Sequence, residues 1–127
     1  MTHPHPLQGQ AQAVANSLLE ALDGARATLV CTSDGFELAH AQRQAVDMDR
    51  LAAVVSSISA LGDAAGRETR IGAPRCVLVD ASQGRLLVRS VVCGEHALIV
   101  AVLTDAAAVL GMVWAQMVEA ERLLSRA

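Results

Sequence analysis

The chain has 127 residues, 53 % of them hydrophobic, a formal net charge of −3, a pI of about 5.7 and a mean hydropathy of +0.38. That length suits one domain able to bury a core. No basic stripe or aromatic platform points to nucleic acid, and no apolar run approaches the roughly 18 residues of a membrane span. No basic stretch followed by an apolar one marks a signal peptide, so a cytoplasmic location is expected.

Residues 1–6 alternate His and Pro and read as a disordered tail, with residues 7–127 as one domain. His3 would be placed to chelate copper or nickel only if the initiator Met were retained. Helix one is expected over 7–23, where Ala11, Val14, Ala15, Leu18, Leu19 and Leu22 form an apolar stripe and Gly24 stops it. Strand one covers 25–32, Ser33-Asp34-Gly35 is a turn, strand two covers 36–41, and 42–46 is a loop. Asp47 or Asp49 caps helix two, which spans 49–68 and is expected to end near Gly66.

Helix two carries two stripes. Leu51, Val54, Val55, Ile58, Leu61 and Ala65 recur at helical spacing and are expected to cover the sheet. Beside them run Ala53, Ser57, Ala60 and Ala64, small residues where a surface helix usually carries charge. Small side chains let another backbone approach, so this helix reads as an association surface. Arg50 and Glu68 stand 18 residues apart, five turns, and project in nearly the same direction. Two copies packed antiparallel would bring Arg50 of one chain near Glu68 of the other.

Strand three is expected at 75–80, strand four at 85–92 after the turn at Ser82-Gln83-Gly84, and strand five at 97–103 after Gly94-Glu95-His96. Strand five is apolar almost throughout, as in a strand buried on both faces. Thr104 or Asp105 caps helix three, which runs to about Ser125 with Leu110, Val113, Trp114, Met117 and Leu124 inside. Short turns within each strand group imply antiparallel pairing, and helices on both faces of the sheet complete an α+β architecture.

The chemistry-bearing residues are sparse. All ten basic residues are arginine, and without lysine the chain has no Walker-type P-loop, Schiff base or lysine general base. Cys31, Cys76 and Cys93 fall in strand-like segments and read as reduced, buried thiols. Cys93 and His96 have a ligand-like spacing without a second pair, so no metal site is expected. Asp34 reads as a turn residue beside Gly35 before it reads as a partner contact. His40 and His96 lack a nucleophile with an orienting acid. Arg67 and Arg70 read first as a solvated helix end and only second as donors to a partner's nucleotide. Met112 and Met117 fit core filling.

The element order, Ser33-Asp34-Gly35 between the first strands, the small-residue helix opening near Asp49, Val77-Leu78-Val79 leading to the Gly84 hairpin, and the apolar last strand before Thr104-Asp105 together resemble the roadblock/LC7 domain. The bacterial MglB-like members match best in length, and the resemblance covers residues 8–125. It implies a five-stranded antiparallel sheet with helix two on one face and helices one and three on the other, a profilin-like arrangement. It implies a homodimer through helix two and strand three, with Arg50, Ala53, Val54, Ser57, Ala60, Leu61, Ala64, Glu68, Cys76 and Leu78 at the interface. It further implies a non-enzymatic regulator or scaffold of a small Ras-like GTPase, with no cofactor. The competing expectation is a profilin-like or PAS-like small-molecule sensor, which needs a pocket with convergent polar groups between sheet and helix. The Ala- and Val-rich core argues against one.

Overall fold

A computed structural model describes residues 5–126. The elements are α1 (Gln8–Ala21), β1 (Ala25–Thr32), β2 (Glu37–Gln42), α2 (Met48–Thr69), β3 (Val77–Ala81), β4 (Gly84–Cys93), β5 (His96–Asp105) and α3 (Leu110–Ser125). The five strands form one sheet in the order β2-β1-β5-β4-β3, antiparallel at every junction. β5 lies in the middle, which explains its unbroken apolar run: Leu98 to Val102 are all buried. β2 and β3 are the edges.

Each face of the sheet has its own core. Val30, Leu87, Val91, Leu98, Val100 and Val102 pack against α1 and α3, whose inner stripes are Val14, Ala15 and Leu18, and Val113, Met117 and Leu124. Leu29, Cys31, Val88, Ile99 and Ala101 pack against Met48, Ala52 and Val55 of α2. The result is the profilin-like α+β arrangement, with one helix on one face and two on the other.

Three local expectations are corrected. Met112, expected to fill the core, is 59 % exposed, whereas α2 ends at Thr69, within one residue of expectation, with Gly66 inside its last turn. Asp47 caps its start, its side chain accepting the Arg50 N–H at 3.1 Å. α3 does not open at Thr104-Asp105, because both residues finish β5, opposite Arg85 and Gly84 of β4. The Asp105 carboxylate instead accepts the Ala107 N–H at 3.0 Å, capping a turn before the helix. The sheet-facing side of α2 is also rotated. Val54 is 47 % exposed and Leu61 69 %, and Ala65 also faces solvent, while Ala52, Val55 and Gly66 are buried.

The glycines explain that rotation. A Cβ on Gly62 would lie 2.6 Å from Cγ2 of Val77, and one on Gly66 would run straight into the Gly72 carbonyl oxygen. The helix therefore sits on the α2–β3 connection with bare backbone, where any side chain would hold it off. A hydrophobicity count gives such positions no weight, although they make the closest approach.

α2 then stops on Arg70, at φ 60. Its N–H and that of Ile71 both reach back to the Gly66 carbonyl, the Ile71 bond at 3.0 Å. Arginine in the left-handed region costs about 1 kcal/mol. Arg70→Gly is expected to raise stability by about 0.5–1 kcal/mol, read as a higher urea midpoint. A lower midpoint would mean that the Arg70 side chain makes a stabilising contact.

Arg43, read from sequence only as a loop residue, closes the other end of the fold. Its guanidinium donates to the carbonyls of Leu19, Leu22 and Ala25 at 2.6, 2.9 and 2.8 Å. A cation thereby satisfies the carbonyls at the C-terminus of α1 and pins the β2–α2 loop beneath it.

Candidate association surface

The two sheet edges differ in what they leave unbonded. Ala81 and Gly84 flank the two-residue turn of the β3–β4 hairpin, so they form a hydrogen-bonded pair. Alternation then turns Val77 and Val79 inward to β4 and leaves the main-chain groups of Leu78 and Asp80 pointing off the sheet. Among the described residues nothing hydrogen-bonds to those outward groups. Leu78 and Val79 are exposed there, at 43 % and 42 %.

On β2 the Arg43 N–H donates to the Arg26 carbonyl at 2.8 Å, which fixes the alternation at that edge. Two and four residues back along the strand, Ala41 and Ala39 bond to β1, and His40 points outward. Its carbonyl is occupied: the Gln12 amide of α1 donates to it at 2.8 Å. His40 also pairs with Glu37, and a bulge at Val30/Cys31 ends the regular ladder. Charge, a bulge and a side-chain cap are the devices that blunt a sheet edge. β2 has all three.

α2 lies beside the open edge. Residues 51–62 carry no charge, and Ala53, Val54, Ser57, Ala60 and Leu61 are exposed along them. The ion pairs among the described residues are Arg85–Asp80, Arg89–Glu121 and Arg122–Glu119, and His40 is hydrogen-bonded to Glu37; none of these involves α2. Arg50 and Glu68 are exposed, as the antiparallel-helix expectation needs.

The structure sorts the expected interface residues into groups. Gly62 abuts Val77 of β3, whereas a Cβ on Gly35, in the β1–β2 turn, would lie 3.5 Å from Cα of Ala53. These contacts fix the two flanks of the helix. At 3.6 residues per turn, Val54 and Leu61 lean toward the β3 flank, and Ala53, Ala60 and Ala64 toward the β1–β2 turn. Arg50, Ser57 and Glu68 lie on the crest between them. Cys76 and Leu78 belong to the β3 side.

Two depressions flank the edge. One, of about 690 Å³, opens past the start of β3 and is lined by Gly62, Ile71, Pro74, Cys76, Leu78 and Trp114. The other, of about 330 Å³, lies at the far end of β3 over Val79, Leu86 and Leu103. The first is walled by α2, its connection and β3, but apart from Arg75 and Cys76 its lining is apolar, without the convergent polar groups that the sensor expectation needs. Trp114 is held by Arg89, whose guanidinium sits 4.7 Å from the ring centroid. Arg89 also bonds Glu121 at 2.6 Å and the Arg75 carbonyl at 2.9 Å, tying α3 to β4 and to the approach to β3.

No constellation for catalysis is assembled among the described residues. The His40 partner is Glu37, and the His96 ring meets that of His5 edge-on at 4.7 Å. Cys93 faces His96 across a hairpin, but burial pushes its thiol up and Glu121 adds to the rise. Burial, reinforced by Asp34, pushes Cys31 up to about 12. Burial raises Cys76 too, against the lowering effect of a backbone hydrogen bond and Arg89. All three are free thiols. Iodoacetamide at pH 8 is expected to label Cys76 first and slowly, Cys31 only after unfolding. Rapid labelling of Cys31 in the native protein would contradict its burial. Among the described residues no group of three His, Cys, Asp or Glu is placed to hold a metal, and His3 lies outside them. Arg67 and Arg70 are exposed at the end of α2.

No helix among the described residues is long and apolar enough to cross a membrane. Comparison with curated proteins finds no match. Among solved structures, the chain is similar to MglB of Myxococcus xanthus, with a TM-score of 0.84 and 16 % identity over 99 % of this chain and 92 % of that one. It is similar to the gliding protein MglB of Thermus thermophilus, with a TM-score of 0.80 and 25 % identity over 98 % and 96 %. An MglB with a tetrameric arrangement gives 0.80 and 26 % over the same shares. The Roadblock/LC7 domain model matches residues 12–104, and the chain belongs to the Roadblock/LC7 family.

Proposed function

We propose that this protein is a non-enzymatic homodimeric regulator or scaffold of a small Ras-like GTPase, acting in the cytoplasm. The observation that carries the association half is the contrast between the edges: β3 is open and, apart from the Asp80–Arg85 pair near its end, apolar beside a charge-free stretch of α2, while the outward His40 carbonyl of β2 is capped. Two copies joined antiparallel at β3 continue one sheet across the pair. The β3 flank of each α2, with Val54 and Leu61, then covers the other copy's uncapped corner over Val79 and Leu86. A stable interface of this kind buries on the order of 1,600 Å². The GTPase half rests on the MglB relatives. The absence of lysine removes the P-loop this chain would need to be the nucleotide hydrolase itself. The tetrameric arrangement of one MglB supports self-association in this branch.

Light scattering at micromolar concentration is expected to give twice the 13.2 kDa chain mass. Leu78→Pro deletes an N–H that faces the open edge and spares the bonds to β4, so it is expected to give the monomer mass. A Leu78→Pro dimer as tight as the wild type would move the interface away from β3. The GTPase half is tested by adding purified dimer to a Ras-like GTPase from the same cell and following GTP hydrolysis and nucleotide exchange. A change in either rate is expected, with no turnover by the dimer alone. Failure to bind that GTPase in either nucleotide state would overturn it.

A further inference from the structure

We infer that the β2 edge is a latent self-pairing site for a second copy of this chain, and that Gln12 keeps it shut. The inference rests on the reading of β3 as the working edge, because it concerns what stops assembly there from continuing at the opposite edge.

The outward groups of β2 centre on His40. Its N–H and carbonyl both point off the sheet, and Ala39 and Ala41 on either side bond inward to β1. An antiparallel copy related by a two-fold axis at His40 would satisfy both groups reciprocally, each N–H donating to the other copy's carbonyl. The flanking side chains are small: Ala39 is buried and Ala41 half-buried. Neither holds a second strand away. The site is short, because the bulge at Val30/Cys31 disrupts the ladder near Leu38. A partner that needs only one reciprocal pair at its centre is the chain itself.

Gln12 occupies the acceptor of that pair. It lies 28 residues from His40 and reaches the edge from α1, its amide nitrogen donating to the His40 carbonyl at 2.8 Å and to Oδ1 of Asn16 at 3.0 Å. The Asn16 bond, one turn along the helix, aims the amide at the edge. While the amide is in place, an incoming strand finds the carbonyl already bonded and meets a side chain in its path. A sheet open at both edges would add copies alternately through β3 and β2 without closing. A sheet shut at β2 stops at two chains.

The experiment is light scattering from micromolar to millimolar concentration on the full chain, on Gln12→Ala and on Gln12→Ala combined with His40→Pro. Gln12 is exposed, so its truncation leaves the core intact. The wild type is expected to hold at twice the chain mass throughout. Gln12→Ala is expected to climb beyond that mass with concentration. The added proline removes the outward N–H of His40 and should return the protein to twice the chain mass. An unchanged mass for Gln12→Ala overturns the inference. So does growth that survives the proline, which would place the new contact elsewhere, and so does a wild type already larger than two chains. A monomeric wild type beside a Gln12→Ala protein that pairs would sink the β3 reading and leave this one standing. If both remain monomeric, both fall.

Discussion

Gly66→Ala is expected to destabilise the protein by about 3 kcal/mol or more, although alanine is the better helix former by about 1 kcal/mol. The added methyl would collide with the Gly72 carbonyl oxygen, which is backbone and cannot swing aside. Either the end of α2 lifts off the connection to β3 or that connection shifts. In both cases the open edge moves relative to the helix, so association should weaken along with stability. Gly9→Ala in α1 is the control, since nothing lies within 4 Å of its added methyl. It should be neutral or stabilising by up to about 1 kcal/mol. Urea denaturation of the two variants gives opposite signs if the contact at Gly66 is as close as described. A stable Gly66→Ala protein would show that α2 rides higher over Gly72.

Leu61→Arg is expected to raise the dimer dissociation constant by roughly a hundredfold or more, because it places an unpaired guanidinium inside an apolar contact. The fold should survive, since Leu61 is 69 % exposed within one chain. Ala60→Arg carries the same charge on the neighbouring residue, but toward the flank near the β1–β2 turn. Its effect should be far smaller. Sedimentation equilibrium on both variants reads the difference directly. If Ala60→Arg is the more damaging, the copies meet along the small-residue flank, and Ala53, Ala60 and Ala64 carry the interface.

Much of the fold was legible because the signals were local. The turn at Ser33-Asp34-Gly35 and the two hairpins set the strand boundaries within about two residues, and β1 falls where its β-rich run predicted. The unbroken apolar run of β5 announced a central strand. Errors arose where one signal had two uses. Thr104-Asp105 carries helix-capping residues, but both remain within the sheet ladder. Gly66 looks like a terminator and does lie in the last turn of α2, but its absent side chain also serves a close approach, and with Gly62 it turns Val54 and Leu61 away from the sheet. The expected interface mixes residues of both stripes of α2, because periodicity gives the phase of a helix but not the direction of its neighbours. Contacts at Val77 and Gly35 were needed to separate the flanks. The Gln12 and Arg43 contacts were invisible for another reason: side-chain-to-carbonyl bonds across 18 to 28 residues leave no pattern in sequence.

The single indole has a practical consequence. The chain contains one tryptophan and no tyrosine, so its near-ultraviolet emission comes from one place. That place is Trp114, half-buried beside Leu78 at the mouth of the depression next to the free edge of β3, with a guanidinium against its ring. Covering that mouth would dry the ring and shift its emission to the blue; dilution would reverse the shift. The native protein thus carries a built-in optical gauge of whether its working edge is occupied, with no dye or engineered probe required.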